Sequence, residues 1–239
     1  MDIVLYEKPI HIELVGCNLF VEGKQHSKSV RLLGQMKKTL MRYTEGAANL
    51  EVYYMYRDVY NKNDMRFDIT VIPAVEISGE CAKTYGHYHP KSEDGLCYPE
   101  VYQVLEGSVV FILQKKQQDE SVEVIIVHAK KGNTIILPPG YGHVSINNAE
   151  GDLVLANLVY DKFESVYDEY EDNKGAPYYY LKGGELAHNT NYIVRKTEQL
   201  SANELNRRYG FSCKDIITEF LAEPEKFAFL AKPRMMFKD

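Results

Sequence analysis

Short runs of β-branched and aromatic residues, separated by turn residues, dominate the chain from residue 51 to residue 160. Such residues favour strands, and Gly, Asn, Asp and Ser favour the turns between them. Turn signals at roughly every 8–12 residues are typical of a β-sandwich or barrel. A double-sheet jelly roll is the closed arrangement that holds a small ligand in its mouth. We predict strands at 51–60, 67–77, 100–105, 109–114, 122–128, 134–137, 143–147 and 153–160.

The pattern is different before the first of these strands. Residues 1–27 read as an arm with short strands. Over residues 27–41, apolar residues recur at helical spacing. This spacing predicts an amphipathic helix that packs on the sheets and is capped by Ser27 or Ser29. The apolar positions that carry the helical spacing are Val30, Leu33, Met36 and Leu40.

The last part of the chain carries helix-start signals. Ser201 and Glu204 have the spacing of a capping box and predict a helix over 204–209. A second box, Ser212 to Asp215, predicts a helix over 216–221, and Pro224 suits the first turn of another. We therefore expect three parts: an N-terminal arm and helix (1–45), a β-barrel (46–175) and a C-terminal helical appendage packed on it (176–239).

Composition limits the classes of function. The chain has 239 residues, is 45% hydrophobic and has a formal net charge of −6, without a dominant basic stripe. We therefore expect no nucleic-acid partner. An apolar run long enough to span a bilayer and a signal-peptide core are both missing, and the four cysteines lack CxxC spacing, so we expect a cytoplasmic protein without a membrane partner. Cys81 and Cys97 flank the histidine motif described next, and we expect them to pack rather than ligate.

Three of the seven histidines, together with one glutamate, have the spacing of a metal site. His87 and His89 form a His-x-His pair, and on a strand residues i and i+2 point to the same face. Glu100 and His143 follow, the latter after a Pro-Pro-Gly turn. Imidazole nitrogens and one carboxylate suit a divalent first-row transition metal, and four ligands leave coordination positions open for chemistry.

Three short motifs resemble those of the cupin superfamily. They are Thr84-x-Gly-His-x-His89, Glu100-x-Tyr102, and Pro138-Pro followed by His143 and Asn147. They look most like the cupin-type phosphoglucose isomerases of archaea and some bacteria, and the resemblance covers roughly residues 30–175. It implies a mainly β fold, the cupin double-stranded β-helix (jelly roll), with peripheral α-helices.

The resemblance also implies a function. It implies metal-dependent interconversion of glucose 6-phosphate and fructose 6-phosphate, a reaction of glycolysis and gluconeogenesis, by a homodimer. The cofactor would be one divalent metal ion, with Fe²⁺ preferred and Mn²⁺, Zn²⁺ or Ni²⁺ as alternatives. Its ligands would be His87, His89, Glu100 and His143. Thr70, Thr84, Gly86 and Tyr160 would bind the sugar phosphate, while Tyr102 and Glu100 would act at its reacting end.

The chain departs from the family pattern in two places. The loop between His89 and Glu100 is longer than in many members, with ten residues. After Tyr160, some members carry a histidine and a further tyrosine, whereas the segment here has no histidine up to residue 170. Tyr167 or Tyr170 could take that place. We expect this acidic segment, 161–175, to wrap over the site.

Several alternatives stay open at this point. Glu100 could move a proton through a cis-enediol, or hydrogen could move as a hydride without a base. A different metal-dependent cupin enzyme, such as a sugar epimerase or a dioxygenase, would use the same ligands. A non-catalytic cupin that binds a sugar phosphate is a third reading. In a fourth reading, the metal ion has a structural role alone and holds strands together.

Overall fold

The computed structural model describes residues 1–237 of the chain. The arm that the sequence predicts at the N-terminus is a small antiparallel sheet in which each strand pairs with the next. Its strands are β1 (Asp2–Tyr6), β2 (Ile12–Val15), β3 (Asn18–Val21) and β4 (Lys24–Gln25).

The barrel region follows. Its strands are β5 (Ser29–Leu32), β6 (Glu51–Lys62), β7 (Met65–Ile72), β8 (Glu76–Ile77), β9 (Glu80–Cys81), β10 (Glu100–Glu106), β11 (Ser108–Lys116), β12 (Val122–Lys130), β13 (Thr134–Leu137), β14 (Gly142–Asn147) and β15 (Leu153–Tyr160). Of these, β8 and β9 form a separate two-stranded hairpin. The predicted strands from residue 100 onward agree with β10 to β15 to within a few residues.

The last part of the chain mixes helices and strands. Its elements are α1 (Asp168–Asp172), β16 (Tyr178–Tyr180), β17 (Leu186–His188), β18 (Val194–Ser201), α2 (Ala202–Arg208) and α3 (Ile216–Ala222). Segments of 3-10 helix cover Leu33–Thr39, Pro224–Leu230 and Pro233–Phe237.

Two sheets face each other and enclose the core. The larger has the strand order β13-β10-β15-β7-β6-β5, and the smaller has the order β14-β11-β12-β18. Apolar side chains from both sheets, such as Val104 and Leu155 on the larger and Phe111 and Ile125 on the smaller, form one buried cluster. This is a β jelly roll with peripheral helices, as the sequence predicts.

The larger sheet is covered on its outer face as well. Ile12 and Leu14 of the arm and Ile217 and Phe220 of α3 pack there in a second buried cluster. β15 is accordingly buried along its length as far as Val159, which explains its nearly continuous apolar sequence. The arm and the C-terminal helices thus hold the sheet that carries part of the site.

The helix predicted over residues 27–41 is wrong in its first half. Residues 29–32 form β5, in which Val30 pairs with Tyr54 and Arg31 with Tyr53. Only Leu33–Thr39 is helical, as a 3-10 helix that begins after Leu32, so neither Ser27 nor Ser29 caps it. The edge of the larger sheet offers these residues hydrogen-bond partners, and this tertiary pairing overrides the local helical spacing.

Two strand predictions are also corrected. The strand predicted over 67–77 ends at Ile72, because Pro73 has no N–H to donate to a ladder. His87 and His89 lie in an irregular extended segment, in which His87 forms an isolated bridge with His143. The pair therefore owes its position to that bridge and not to a regular strand.

The C-terminal segment differs from the purely helical appendage that we expected. β18 joins the smaller sheet, parallel to β12. Ser201 caps α2 in the predicted capping box with Glu204. α3 is capped by Asp215, whose side chain accepts from the Thr218 N–H, so the box predicted at Ser212 is wrong. The boundaries at residues 45 and 175 stay predictions.

Candidate metal centre

The predicted metal ligands come from three separate parts of the barrel. Glu100 is the first residue of β10, and His143 is the second residue of β14. His87 and His89 come from the extended segment that runs beside β14, to which it is joined by isolated bridges. The N–H of His87 donates to the carbonyl oxygen of His143 at 3.2 Å, and the N–H of His143 donates to that of His87 at 3.0 Å. The backbone thus joins two of the three ligand-bearing segments.

The ligand atoms of all four side chains converge. Each side chain offers one nitrogen or oxygen, and these atoms lie within 4.8 Å of one another. The Nε2 atoms of His87 and His89 are 3.1 Å apart. Glu100 Oε2 lies 3.5 Å from His89 Nε2 and 3.4 Å from His143 Nε2. The predicted ligand set is therefore assembled in space.

The histidines are held in the neutral form that metals bind. Burial, followed by the neighbouring imidazoles, puts the pKa of His87 well below its usual range, and burial does the same for His143. Burial lowers the pKa of His89 to about 4. His89 Nδ1 lies 3.0 Å from the carbonyl oxygen of Tyr98, which fits an Nδ1–H donor and turns the Nε2 lone pair toward the cluster.

Glu100 is buried with one oxygen turned to the histidines and the other held by Asn157. The Nδ2 of Asn157 donates to Glu100 Oε1 at 2.7 Å. Burial, together with the nearby Asp68 carboxylate, raises the pKa of Glu100 to about 8. A cation among the four ligands would supply the positive charge that this buried carboxylate lacks.

The donor set fits a divalent transition metal. Three neutral imidazoles and one carboxylate suit such an ion, and their remaining hydrogen bonds to Tyr98 and Asn157 are of the kind that orient metal ligands. Cys81 and Cys97 are free thiols outside the group. Asn147 tethers a turn, donating to the carbonyl oxygens of Ile72 and Gly151 at 2.8 and 2.9 Å.

A cavity of about 490 Å³ opens above the ligands. Five of the six predicted substrate or catalytic residues line it: Thr70, Thr84, Glu100, Tyr102 and Tyr160. The Tyr102 hydroxyl lies 3.5 Å from His143 Nε2. The volume is within the range of roughly 300–1,000 Å³ that small-molecule sites occupy. The sequence therefore predicted a set of residues that share one cavity.

Gly86 lies between two cavity residues, Tyr85 and His87, and has a structural reason to be glycine. Its φ is +83°, and a Cβ placed on it would lie 2.4 Å from Cε1 of Tyr170. The fully buried Tyr170 ring therefore fills the space beside it. Of the two tyrosines considered as substitutes for the missing histidine, Tyr167 lines the cavity. The role of Gly86 in substrate binding stays a prediction.

Several cavity residues were not identified from the sequence: Arg31, Tyr53, Arg57, Asp68, Asn157 and Phe163. Some lie on strands β5, β6 and β7, where their side chains alternate with core residues. For Asp68, the alternation of charged and apolar residues across 66–69 was a sequence signal that could have identified it. Phe163 belongs to the predicted wrap, and its ring packs 4.6 Å from that of His89.

Comparison with known proteins identifies the family of the chain. A model of the family "Glucose-6-phosphate isomerase (GPI)" matches residues 28–196. The chain belongs to this family. A curated relative, glucose-6-phosphate isomerase from Thermococcus litoralis, is 25% identical over 160 residues, which cover 64% of this chain and 79% of the relative.

Solved structures give weaker matches. A variant of oxalate decarboxylase from Bacillus subtilis is 12% identical, with a TM-score of 0.33, over 48% of this chain and 26% of that chain. A cupin-2 domain protein from Shewanella frigidimarina is 17% identical, with a TM-score of 0.28, over 43% of this chain and 76% of that chain. This chain thus spans about a quarter of the length of the oxalate decarboxylase.

Within residues 1–237, each helix is too short or too polar to cross a bilayer.

Proposed function

We propose that the protein interconverts glucose 6-phosphate and fructose 6-phosphate with one divalent metal ion held by His87, His89, Glu100 and His143. The observation that carries the proposal is the convergence of these four side chains at the base of a cavity, in a chain of the glucose-6-phosphate isomerase family. Among the candidate ions, Fe²⁺ is the first choice, ahead of Mn²⁺, Zn²⁺ and Ni²⁺.

The reaction moves a hydrogen between C1 and C2 of the sugar and a proton between their oxygens. When bound, the ion would act as a Lewis acid that stabilises negative charge on those oxygens. The side chains around it would orient the sugar. Tyr102 is buried, and burial raises the pKa of its phenol well above the usual range, so it stays protonated and can donate to a substrate oxygen.

Glu100 is the carboxylate nearest to the reacting carbons in this proposal. Its Oε1 is held by Asn157 and its Oε2 faces the histidines, so the side chain has one fixed orientation. In the enediol route, Glu100 would take the proton from one carbon and return it to the other. In the hydride route, Glu100 would only be a ligand.

Turnover in deuterium oxide separates the two routes. If a side chain carries the proton, solvent deuterium enters the product at the carbon that receives it. If hydride moves directly, the carbon-bound hydrogen is retained. Glu100→Gln provides a second comparison of the two routes, because only the enediol route needs a base at that position.

The activity itself is tested by metal exchange. The protein is stripped with a chelator, reloaded with ferrous, manganous, zinc or nickel ion, and assayed for conversion of fructose 6-phosphate to glucose 6-phosphate in a coupled assay. We expect metal-dependent turnover that falls by at least about a thousandfold in His143→Ala, because removing a ligand costs both the ion and its charge. His128→Ala, which removes an exposed histidine on β12, is the matched control.

Two outcomes would contradict the proposal. Absence of turnover with every ion, while the ion still binds, would exclude the isomerase and direct attention to a sugar epimerase, a dioxygenase or a binding protein. Equal turnover in wild type and His143→Ala would show that the cluster is not the catalytic site.

The cellular setting is part of the same proposal. Such an activity would serve glycolysis and gluconeogenesis in the cytoplasm. We also propose that the protein is a homodimer, since the arm and the C-terminal helices leave apolar side chains such as Val4 and Phe237 exposed. Light scattering after gel filtration tests this, and a mass near 27.5 kDa would exclude the dimer.

A further inference from the structure

Arg31 lies on β5 at the rim of the cavity, in a fixed orientation. Its Nε donates to the Tyr53 hydroxyl at 3.2 Å. Its guanidinium carbon lies 5.3 Å from the centroid of the Tyr85 ring and 5.9 Å from that of Tyr53. One hydrogen bond and two aromatic rings therefore hold the guanidinium, which leaves its terminal N–H groups to serve as donors to another partner.

The charge of Arg31 is not neutralised by a neighbour. Among residues 1–237, Arg31 forms no ion pair, whereas Arg66 in the same cavity is bonded through Nε to both carboxylate oxygens of Asp68 at 2.9 Å. A partly buried guanidinium without a carboxylate partner favours an anion from outside the protein. The Asp68 end of the cavity already has its charge balanced.

The Tyr53 hydroxyl adds a second donor at the same place. It accepts from Arg31 Nε and, at 3.4 Å, from the backbone N–H of Tyr85. Both of its lone pairs are thus used, and its own proton remains to be donated. Burial raises the pKa of Tyr53, so the phenol keeps this proton. Arg31 and Tyr53 together form a donor pair that an oxyanion would satisfy.

The donor pair is close to the threonines that the family resemblance assigns to the sugar phosphate. Thr84 precedes Tyr85, the residue whose ring lies under Arg31. Thr70 pairs with Met55, which is two residues beyond Tyr53 on β6 and so on the same face. Arg31 also lines an adjoining recess with Lys37 and Lys38. Lys38 is paired with Glu171, which lines the same recess, so among residues 1–237 the positive charge that no carboxylate pairs with at this rim comes from Arg31 and Lys37.

We propose that Arg31, oriented by Tyr53, is the cation that binds the phosphate dianion of the substrate and so selects sugar phosphates over neutral sugars. The inference rests on the proposed function for the identity of the sugar. A guanidinium fork and a phenol donor match the oxygens of a phosphate monoester, and the threonine hydroxyls alone provide no positive charge.

The test is a calorimetric titration of the metal-loaded protein with glucose 6-phosphate and, separately, with glucose. We expect Arg31→Gln to weaken glucose 6-phosphate binding by about 10- to 100-fold, the loss typical of a hydrogen bond to a charged group, and to leave glucose binding unchanged. Arg31→Lys should recover part of the affinity, and Tyr53→Phe should cost about 3- to 10-fold. In the isomerase assay, Arg31→Gln should raise KM by a larger factor than it lowers kcat.

Two matched controls remove other arginines. Arg57→Gln alters a residue that lines the same cavity but carries an exposed side chain, and we expect a clearly smaller loss of affinity than from Arg31→Gln. Arg195→Gln alters an exposed residue of β18 and controls for net charge. Metal content of each variant, measured by elemental analysis, shows whether the barrel is intact.

The outcomes separate this inference from the isomerase proposal. Binding of glucose 6-phosphate that depends on Arg31, without turnover, would support the phosphate cation and overturn the isomerase. Turnover with unchanged affinity in Arg31→Gln, or an equal loss in Arg57→Gln, would overturn the role of Arg31. Failure of the metal-loaded wild type to bind glucose 6-phosphate more tightly than glucose would also overturn it.

Discussion

His87 and His143 are joined by two backbone hydrogen bonds, in which each residue donates its N–H to the carbonyl oxygen of the other. This pairing spans 56 residues of sequence and brings the imidazole ring centroids to 4.4 Å. Two of the proposed ligands are thereby positioned by main-chain geometry. A metal that entered such a site would meet side chains whose ordering had already been achieved in folding.

Metal uptake should release a proton from Glu100. Its pKa in the metal-free protein is raised to about 8, so at pH 7 the carboxyl is mostly protonated and must lose its proton to become a ligand. Apparent metal affinity should therefore rise with pH, by up to about tenfold per pH unit below 8, and level off above it. Calorimetry in buffers of different ionisation enthalpy counts the protons.

Glu100→Gln is the control for that measurement, since an amide has no proton to release in this range. If wild type and Glu100→Gln release equal numbers of protons at pH 7, another group titrates and the prediction is wrong.

Asn157 should contribute to metal binding without touching the ion. Asn157→Ala leaves Glu100 Oε1 without its donor at 2.7 Å, which weakens the hold on the ligand and raises the carboxyl pKa further. We expect a loss of metal affinity of about 10- to 100-fold, as is typical for partners of metal ligands. Competition with a chromogenic chelator measures it. Asn203→Ala, on the exposed face of α2, should bind metal like wild type.

Gly86→Ala should destabilise the fold through one specific contact. Both Gly86 and Gly132 have left-handed φ values, of +83° and +87°, but a Cβ on Gly86 would meet the Tyr170 ring at 2.4 Å and one on Gly132 would meet nothing within 4 Å. Backbone strain should cost about 1–2 kcal/mol in both variants. Steric overlap with Tyr170 should add about 1–3 kcal/mol in Gly86→Ala alone. Urea unfolding compares the two, and equal losses would exclude the contact.

Asp215→Ala should destabilise the protein more than Ser212→Ala. The Asp215 side chain accepts from the Thr218 N–H at 2.8 Å and caps α3, and loss of such a cap typically costs about 0.5–2 kcal/mol. Ser212 lies before the helix and does not cap it, so its loss should cost less than about 0.5 kcal/mol. Thermal unfolding of the two variants distinguishes them. A larger loss from Ser212→Ala would restore the cap predicted from sequence.

The sequence by itself determined most strands of the barrel and the four side chains, His87, His89, Glu100 and His143, that the fold brings together. Strands such as β11 and β15 are predictable from their local sequence, because runs of β-branched residues bounded by turn residues favour the strand conformation. These four were identifiable because imidazole and carboxylate groups in this spacing suit a divalent transition metal. Thr70, Thr84 and Tyr160 were assigned through the family motifs, and each lines the cavity.

Tertiary structure decided the features that depend on distant partners. Residues 29–32 have helical spacing but form a strand, since the edge of the larger sheet offers ladder hydrogen bonds that the local sequence does not encode. Arg31 acquires its orientation only from Tyr53 and Tyr85, which lie 22 and 54 positions further along the chain. The raised pKa of Glu100 likewise comes from its burial in the folded protein, which a short sequence motif does not encode.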